Sequence, residues 1–222
     1  MQGRFCWIAA ANFLSLAACF CSAEPALWAK DTAPASAQGA ADDIYADPFK
    51  IWEFHLEVSA ANWEKMQPVG GMRFPGAPGG PPGGAPQERP FDSHRSTFGM
   101  DFPWVHANFT EGGKVFADVG LRYKGNGSYM ASQRSLKRNF KISFDHYRED
   151  ELYRGRDKLN LNSGAADPTK IHEVLAYALF RQAGVPAPRT TFAKVTLTVP
   201  GKYDHELLGL YTVVEQVDTS AG

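Results

Sequence analysis

Apolar and polar positions alternate along IWEFHLEV, residues 51–58. Ile51, Glu53, His55 and Glu57 fall on one face, and Trp52, Phe54, Leu56 and Val58 on the other. A period of two marks a half-buried strand. His55 has no ligand partner at useful spacing and reads as a surface residue of that strand. Ser59 caps a short helix over SAANWEKMQ, which Pro68 ends. Apolar content resumes at Met100–Asn108, and KVFADVGLRY, Lys114–Tyr123, reads as a strand. The chain breaks at Gly125-Asn126-Gly127-Ser128 and returns as a second strand that carries Lys141 and ends at Phe144. A charged turn, HYREDELYRGRD, precedes a further strand at Lys158–Asn162. The period then becomes helical: Ile171, Val174, Leu175, Ala178, Leu179 and Gln182 share one face, which is expected to pack on a sheet. Asp167 is the expected N-cap, Pro168 the first helical position and Gly184 the stop signal. Strands at Thr191–Val199 and Glu206–Val214 follow, joined by a hairpin at Pro200–Asp204.

Three stretches lack such periodicity. Residues 1–23 carry a basic start and an apolar run, Phe5–Ala18, too short for a confident membrane span and suited to a secretory signal. Two processing sites compete. Cys21-Ser22-Ala23 offers small residues for ordinary cleavage before Glu24, whereas Leu16-Ala17-Ala18-Cys19 resembles a bacterial lipobox with Cys19 as lipid anchor. Either site implies export to the cell envelope or beyond. Residues 24–43, rich in Ala, Ser, Thr and Pro, read as a linker. Residues 70–90, GGMRFPGAPGGPPGGAPQERP, read as a flexible insertion that cannot serve as a phosphate loop, because prolines lack the N–H donors.

Composition narrows the field. The 222 residues suffice for one domain, and a net charge of −1 with a pI near 6.6 argues against nucleic-acid or membrane binding. The cationic run Arg134, Lys137, Arg138, Lys141 is short, and the rest of the chain is balanced. All three cysteines (Cys6, Cys19, Cys21) lie in the first segment, so the remaining chain has no disulfide framework, thiol nucleophile or cysteine metal site.

The candidate chemistry lies in LRYKGNGSYMASQRSLKRNFKISF, Leu121–Phe144. Glycines permit close backbone approach, and a turn of exposed N–H groups forms a concave anion site. A glycine loop followed by a strand lysine is one way to hold nucleotide phosphates. The same residues also suit an ordinary hairpin with a solvated basic flank. Asn160, Asn162 and Gly164 hint at a calcium loop, but their spacing does not match an EF-hand.

The ordered words KGNGS, NFKISFD, KLNLNS, DPTKIHEVLAYALFRQAGVPAPRT, FAKVTLT and LLGLYTVVEQVD resemble the spore coat protein H (CotH) kinase family, over about Ile44 to Asp218. The resemblance implies an α+β fold like a protein-kinase N-lobe, a mostly antiparallel sheet with one main packed helix, in a partial domain spanning 44–222. It implies phosphate transfer from ATP, with Mg, to serine or threonine of a protein substrate. Lys124, Gly125, Asn126, Gly127, Ser128, Lys141, Glu173 and Glu215 are then the expected nucleotide-binding residues. Lys137, Lys158 and Arg122 rival Lys141 for the phosphate role. His172 stands beside Glu173 where the family often carries Arg. The catalytic and metal-binding aspartates of a second lobe are expected beyond Gly222, so the chain reads as truncated and inactive alone. The alternative is a non-catalytic envelope or coat lipoprotein that binds or supports other proteins.

Overall fold

A computed structural model describes residues 43–70, 90–132 and 134–217. The expected signal, most of the linker, and the Pro/Gly insertion at 71–89 lie outside the described residues. In chain order the elements are β1 (Ile51–Glu57), α1 (Ala60–Lys65), β2 (Ser93–Arg95), β3 (Asp101–Pro103), β4 (Val105–Glu111) and β5 (Lys114–Tyr123). There follow α2 (Gly127–Ala131), β6 (Phe140–Ser143), β7 (Lys158–Asn162), α3 (His172–Gln182), β8 (Thr190–Val199) and β9 (Tyr203–Val214).

Seven strands close into a barrel in the order β1-β4-β5-β6-β7-β9-β8, while β2 and β3 form a separate ribbon. Closure rests on β1, which pairs antiparallel with β4 and parallel with β8 from Ile51↔Phe192 to Glu57↔Thr198. The alternation in β1 sets which face turns inward. Trp52, Phe54, Leu56 and Val58 turn inward and are buried, leaving both edges of the strand to be paired. Inside, Phe54, Phe109, Phe116, Phe144 and Tyr153 contact one another at centroid distances of 4.9–6.2 Å, mostly edge to face. Ser59 caps α1 as expected, its hydroxyl accepting from Asn62 N at 3.2 Å.

The kinase-like N-lobe expected from the resemblance is corrected here: the sheet is a closed barrel, and its main helix does not pack. No residue of α3 is buried, and Ile171, Leu175, Leu179 and Phe180 are 46, 51, 64 and 51% exposed. The reason lies on the barrel. Asn160 and Asn162 of β7 and Thr212 of β9 alternate with core residues and therefore point outward, offering polar groups rather than an apolar surface. The helix meets Asn162 through Glu173, and Leu175, Leu179 and Phe180 stay exposed. It also starts later than expected. Asp167 accepts from Thr169 N and His172 N in a preceding turn that places Lys170 at φ 63°, and the helical residues begin at His172.

Candidate functional site

Register lines up a row of side chains across the outer barrel. Arg122 on β5 faces Lys141 on β6, Lys141 faces Asn160 on β7, and Asn160 faces Val214 on β9. Their chain neighbours Leu121, Tyr123, Phe140, Ile142, Leu159 and Leu161 fill the core, so the first three of the row point outward. Lys124 follows directly on β5, and its Nζ donates to Asn160 Oδ1 at 3.2 Å. Lys141 Nζ donates to Gln216 Oε1 at 2.8 Å, an oxygen that also accepts from Asn160 Nδ2 at 3.1 Å. Each lysine thus donates to a neutral amide oxygen. Burial, and after it the charge of Lys141, pulls the Lys124 ammonium down to about 8, while Glu173 works in the opposite direction.

Glu173 reaches this face from α3, but its Oε1 accepts from Asn162 Nδ2 at 2.6 Å. The other amide atom, Asn162 Oδ1, is buried with no hydrogen-bond donor among the described residues. Glu215 lies elsewhere, in an ion network. It accepts from Arg189 Nη2 at 2.7 Å and Arg156 Nη1 at 2.8 Å, and both arginines also hold Asp43. Burial works to raise the Glu215 carboxyl, yet the hydrogen bonds and charge of Arg189 outweigh it and hold the group below its ordinary value.

The glycine loop is built around Asn139. Lys124 N donates to Asn139 O at 3.0 Å, Asn139 Nδ2 to Ser128 Oγ at 2.9 Å, and Ser163 N to Asn139 Oδ1 at 2.7 Å. This ties the loop to the end of β7, next to the lysines. Gly125 sits at φ 86°, and a Cβ there would come 2.2 Å from Ser128 Oγ, so the position requires glycine. Gly127 opens α2 with nothing within 4 Å of its would-be Cβ. Asn126 turns to Thr97, its Nδ2 donating at 3.0 Å.

Of the eight expected residues, the fold brings together Lys124, Lys141 and Glu173, with Gly125 and Ser128 shaping the adjoining loop. Among the rival cations, Lys158 is held by Asp145 and Asp157, and Lys137 stands over the Tyr211 ring at 5.5 Å. Arg122 stays in the row. Sequence reasoning weighed Asn160 and Asn162 only as a calcium loop of the wrong spacing and did not single out Gln216 or Asn139 as parts of a site. KLNLN held a signal for the first two, since asparagines at alternate positions opposite two leucines mark a polar outer face. Among the described residues no group of three His, Cys, Asp or Glu could hold a metal ion, and no helix is long and apolar enough to cross a membrane. A separate cavity of about 300 Å³, lined in part by Glu57, Asn62, His106 and Asp118, shares no residue with this face.

No curated protein matches the chain. The family model described as CotH kinase protein matches residues 121–221, a span that contains Arg122, the glycine loop, both lysines, both asparagines of β7, Glu173 and Gln216. Over that span, which supplies the whole of the cationic face, the chain is similar to the CotH kinase family.

Proposed function

We propose that the face between β6, β7 and α3 binds the phosphates of a nucleotide, for ATP-dependent phosphorylation of serine or threonine in a protein substrate. The observation that carries this is the pair Lys124 and Lys141. Two ammonium groups stand close enough for one to depress the other, each donates to an amide oxygen, and the nearby carboxylate Glu173 is engaged by Asn162. A phosphate chain between them would relieve the repulsion and accept charge-assisted hydrogen bonds. Gly125 and Ser128 would shape the loop beside it. Glu173 would act on Lys124 through its charge and on the site through Asn162, not by an ion pair with Lys141. When bound, ATP would supply the transferable phosphoryl group.

A magnesium ion does not fit the described side chains of this face, which include one carboxylate, already hydrogen-bonded. Export remains part of the proposal, supported by the apolar run Phe5–Ala18 and the two small-residue processing sites after it. A protein-binding role is favoured separately by the exposed stripe Ile171, Leu175 and Leu179, since patches of that kind mark interaction surfaces.

Calorimetric titration with ATP tests the nucleotide reading. The wild type should bind saturably, and Lys124→Ala and Lys141→Ala should each weaken binding by about 10- to 150-fold, the loss of one charge-assisted hydrogen bond. Lys114→Ala should change nothing, because Lys114 lies at the other end of β5 over the Phe116 ring. Absence of saturable binding, or equal affinity in all four proteins, overturns the reading.

A further inference from the structure

Resting on that reading, we infer that Arg122 is a third anion-contacting residue, and that the site is built for a chain of two or more phosphates rather than a single one. The Arg122 guanidinium is a buried charge with no carboxylate in ion-pair distance among the described residues. The residue is 6% exposed, its Nη1 donates to the Tyr123 carbonyl at 3.0 Å, its face lies 4.8 Å from the Trp104 ring, and its Nε has no acceptor among the described residues. Three other arginines are paired, although the Nε atoms of Arg154 and Arg156 likewise have no acceptor among the described residues. Arg154, Arg156 and Arg189 have side chains 23, 22 and 40% exposed, and each has a carboxylate partner, Glu111 for the first and Asp43 with Glu215 for the other two. A buried charge left unpaired is strongly unfavourable. Burial lowers the Arg122 guanidinium to about 10, which leaves it cationic at neutral pH.

The surroundings say what would complete it. Arg122 stands directly opposite Lys141 on the neighbouring strand, and like charges so placed repel. Its charge also acts on Lys124, lowering that ammonium further. Three cations on one face, rooted on adjacent strands about 4.8 Å apart, suit an extended polyanion that can meet each in turn. An isolated phosphate would satisfy one or two. A planar guanidinium is the donor best matched to a phosphate edge.

Inorganic tripolyphosphate and inorganic phosphate, which lack a nucleoside, separate this inference from the reading beneath it. The wild type should bind tripolyphosphate at least about tenfold more tightly than phosphate, by calorimetry. Arg122→Met should lose at least about tenfold in tripolyphosphate affinity and little in phosphate affinity, and tripolyphosphate should raise its melting temperature less than it does that of the wild type. Arg122→Lys, which keeps the charge but not the fork, should fall between the two and serves as the test should the methionine variant not fold. If Arg122→Met, or failing it Arg122→Lys, binds both anions as the wild type does, the role of Arg122 is overturned while the lysine site stands. If the wild type binds neither anion, the phosphate reading fails with it.

Discussion

The inside of the barrel and the outer face beside α3 are built from the same strands, yet they follow opposite rules. Inward positions of β1, β4 and β5 carry Phe54, Phe109 and Phe116, which pack edge to face in a shared aromatic cluster with Phe144 and Tyr153. Outward positions of β5, β6 and β7 carry Arg122, Lys141, Asn160 and Asn162, where cations adjoin one another and a buried amide oxygen has no donor among the described residues. Alternation along each strand couples the two. Burying one face fixes the register, and the register then holds three like charges where they would not stay by mutual attraction. Stability therefore resides inside the barrel, and stored electrostatic cost resides outside it, where a ligand can offset it.

The largest expected difference separates the core from α3. Phe109→Ala removes a fully buried ring from the centre of the aromatic cluster and should cost about 3–5 kcal/mol in urea unfolding. Leu179→Ala removes a side chain that is 64% exposed on a helix with no buried residue, and should change stability by no more than about 0.5 kcal/mol. Similar losses for the two would mean that α3 packs on the barrel after all. A smaller contrast lies within the loop. Gly125→Ala must place a Cβ against Ser128 Oγ at positive φ and should cost about 1–3 kcal/mol, whereas Gly127→Ala meets open space at a helix start and should be neutral or slightly stabilising. Equal effects at the two glycines would break the claim that Asn139 and Ser128 define the loop.

Local pattern predicted the strands well. The runs Lys114–Tyr123 and Lys158–Asn162 are strands with the expected bounds, and the inward face of β1 is the one its alternation marks. Closure was not legible, because the parallel partner of β1 is β8, which pairs His55 with Thr196 across most of the chain. Nothing local in either strand announces that contact. The helix misled for a related reason. Its apolar period is real, but whether a stripe packs depends on what the opposing surface offers, and the helix meets the polar Asn162 of β7 through Glu173. Lys124 and Lys141 could be read from the glycine loop and the returning strand. Glu215 was placed by analogy of order along the chain, and it lies in the network of Arg156, Arg189 and Asp43. Asn139 carries no sign in the sequence that it organises the loop, since its role comes from three hydrogen bonds to distant segments.

The central claim is that Lys124 and Lys141 meet phosphate on the outer face of the barrel, and site-resolved amine labelling tests it most directly. The full chain is treated with an amine-reactive reagent with and without ATP, and the extent of modification at each lysine is read by mass spectrometry. Lys124, whose ammonium is drawn down to about 8, should label more readily as the pH rises through that value. Saturating ATP should protect Lys124 and Lys141 and leave Lys114 and Lys194 unchanged, the first lying over Phe116 and the second paired with Glu53. Labelling that ATP leaves the same at all four lysines would contradict the account.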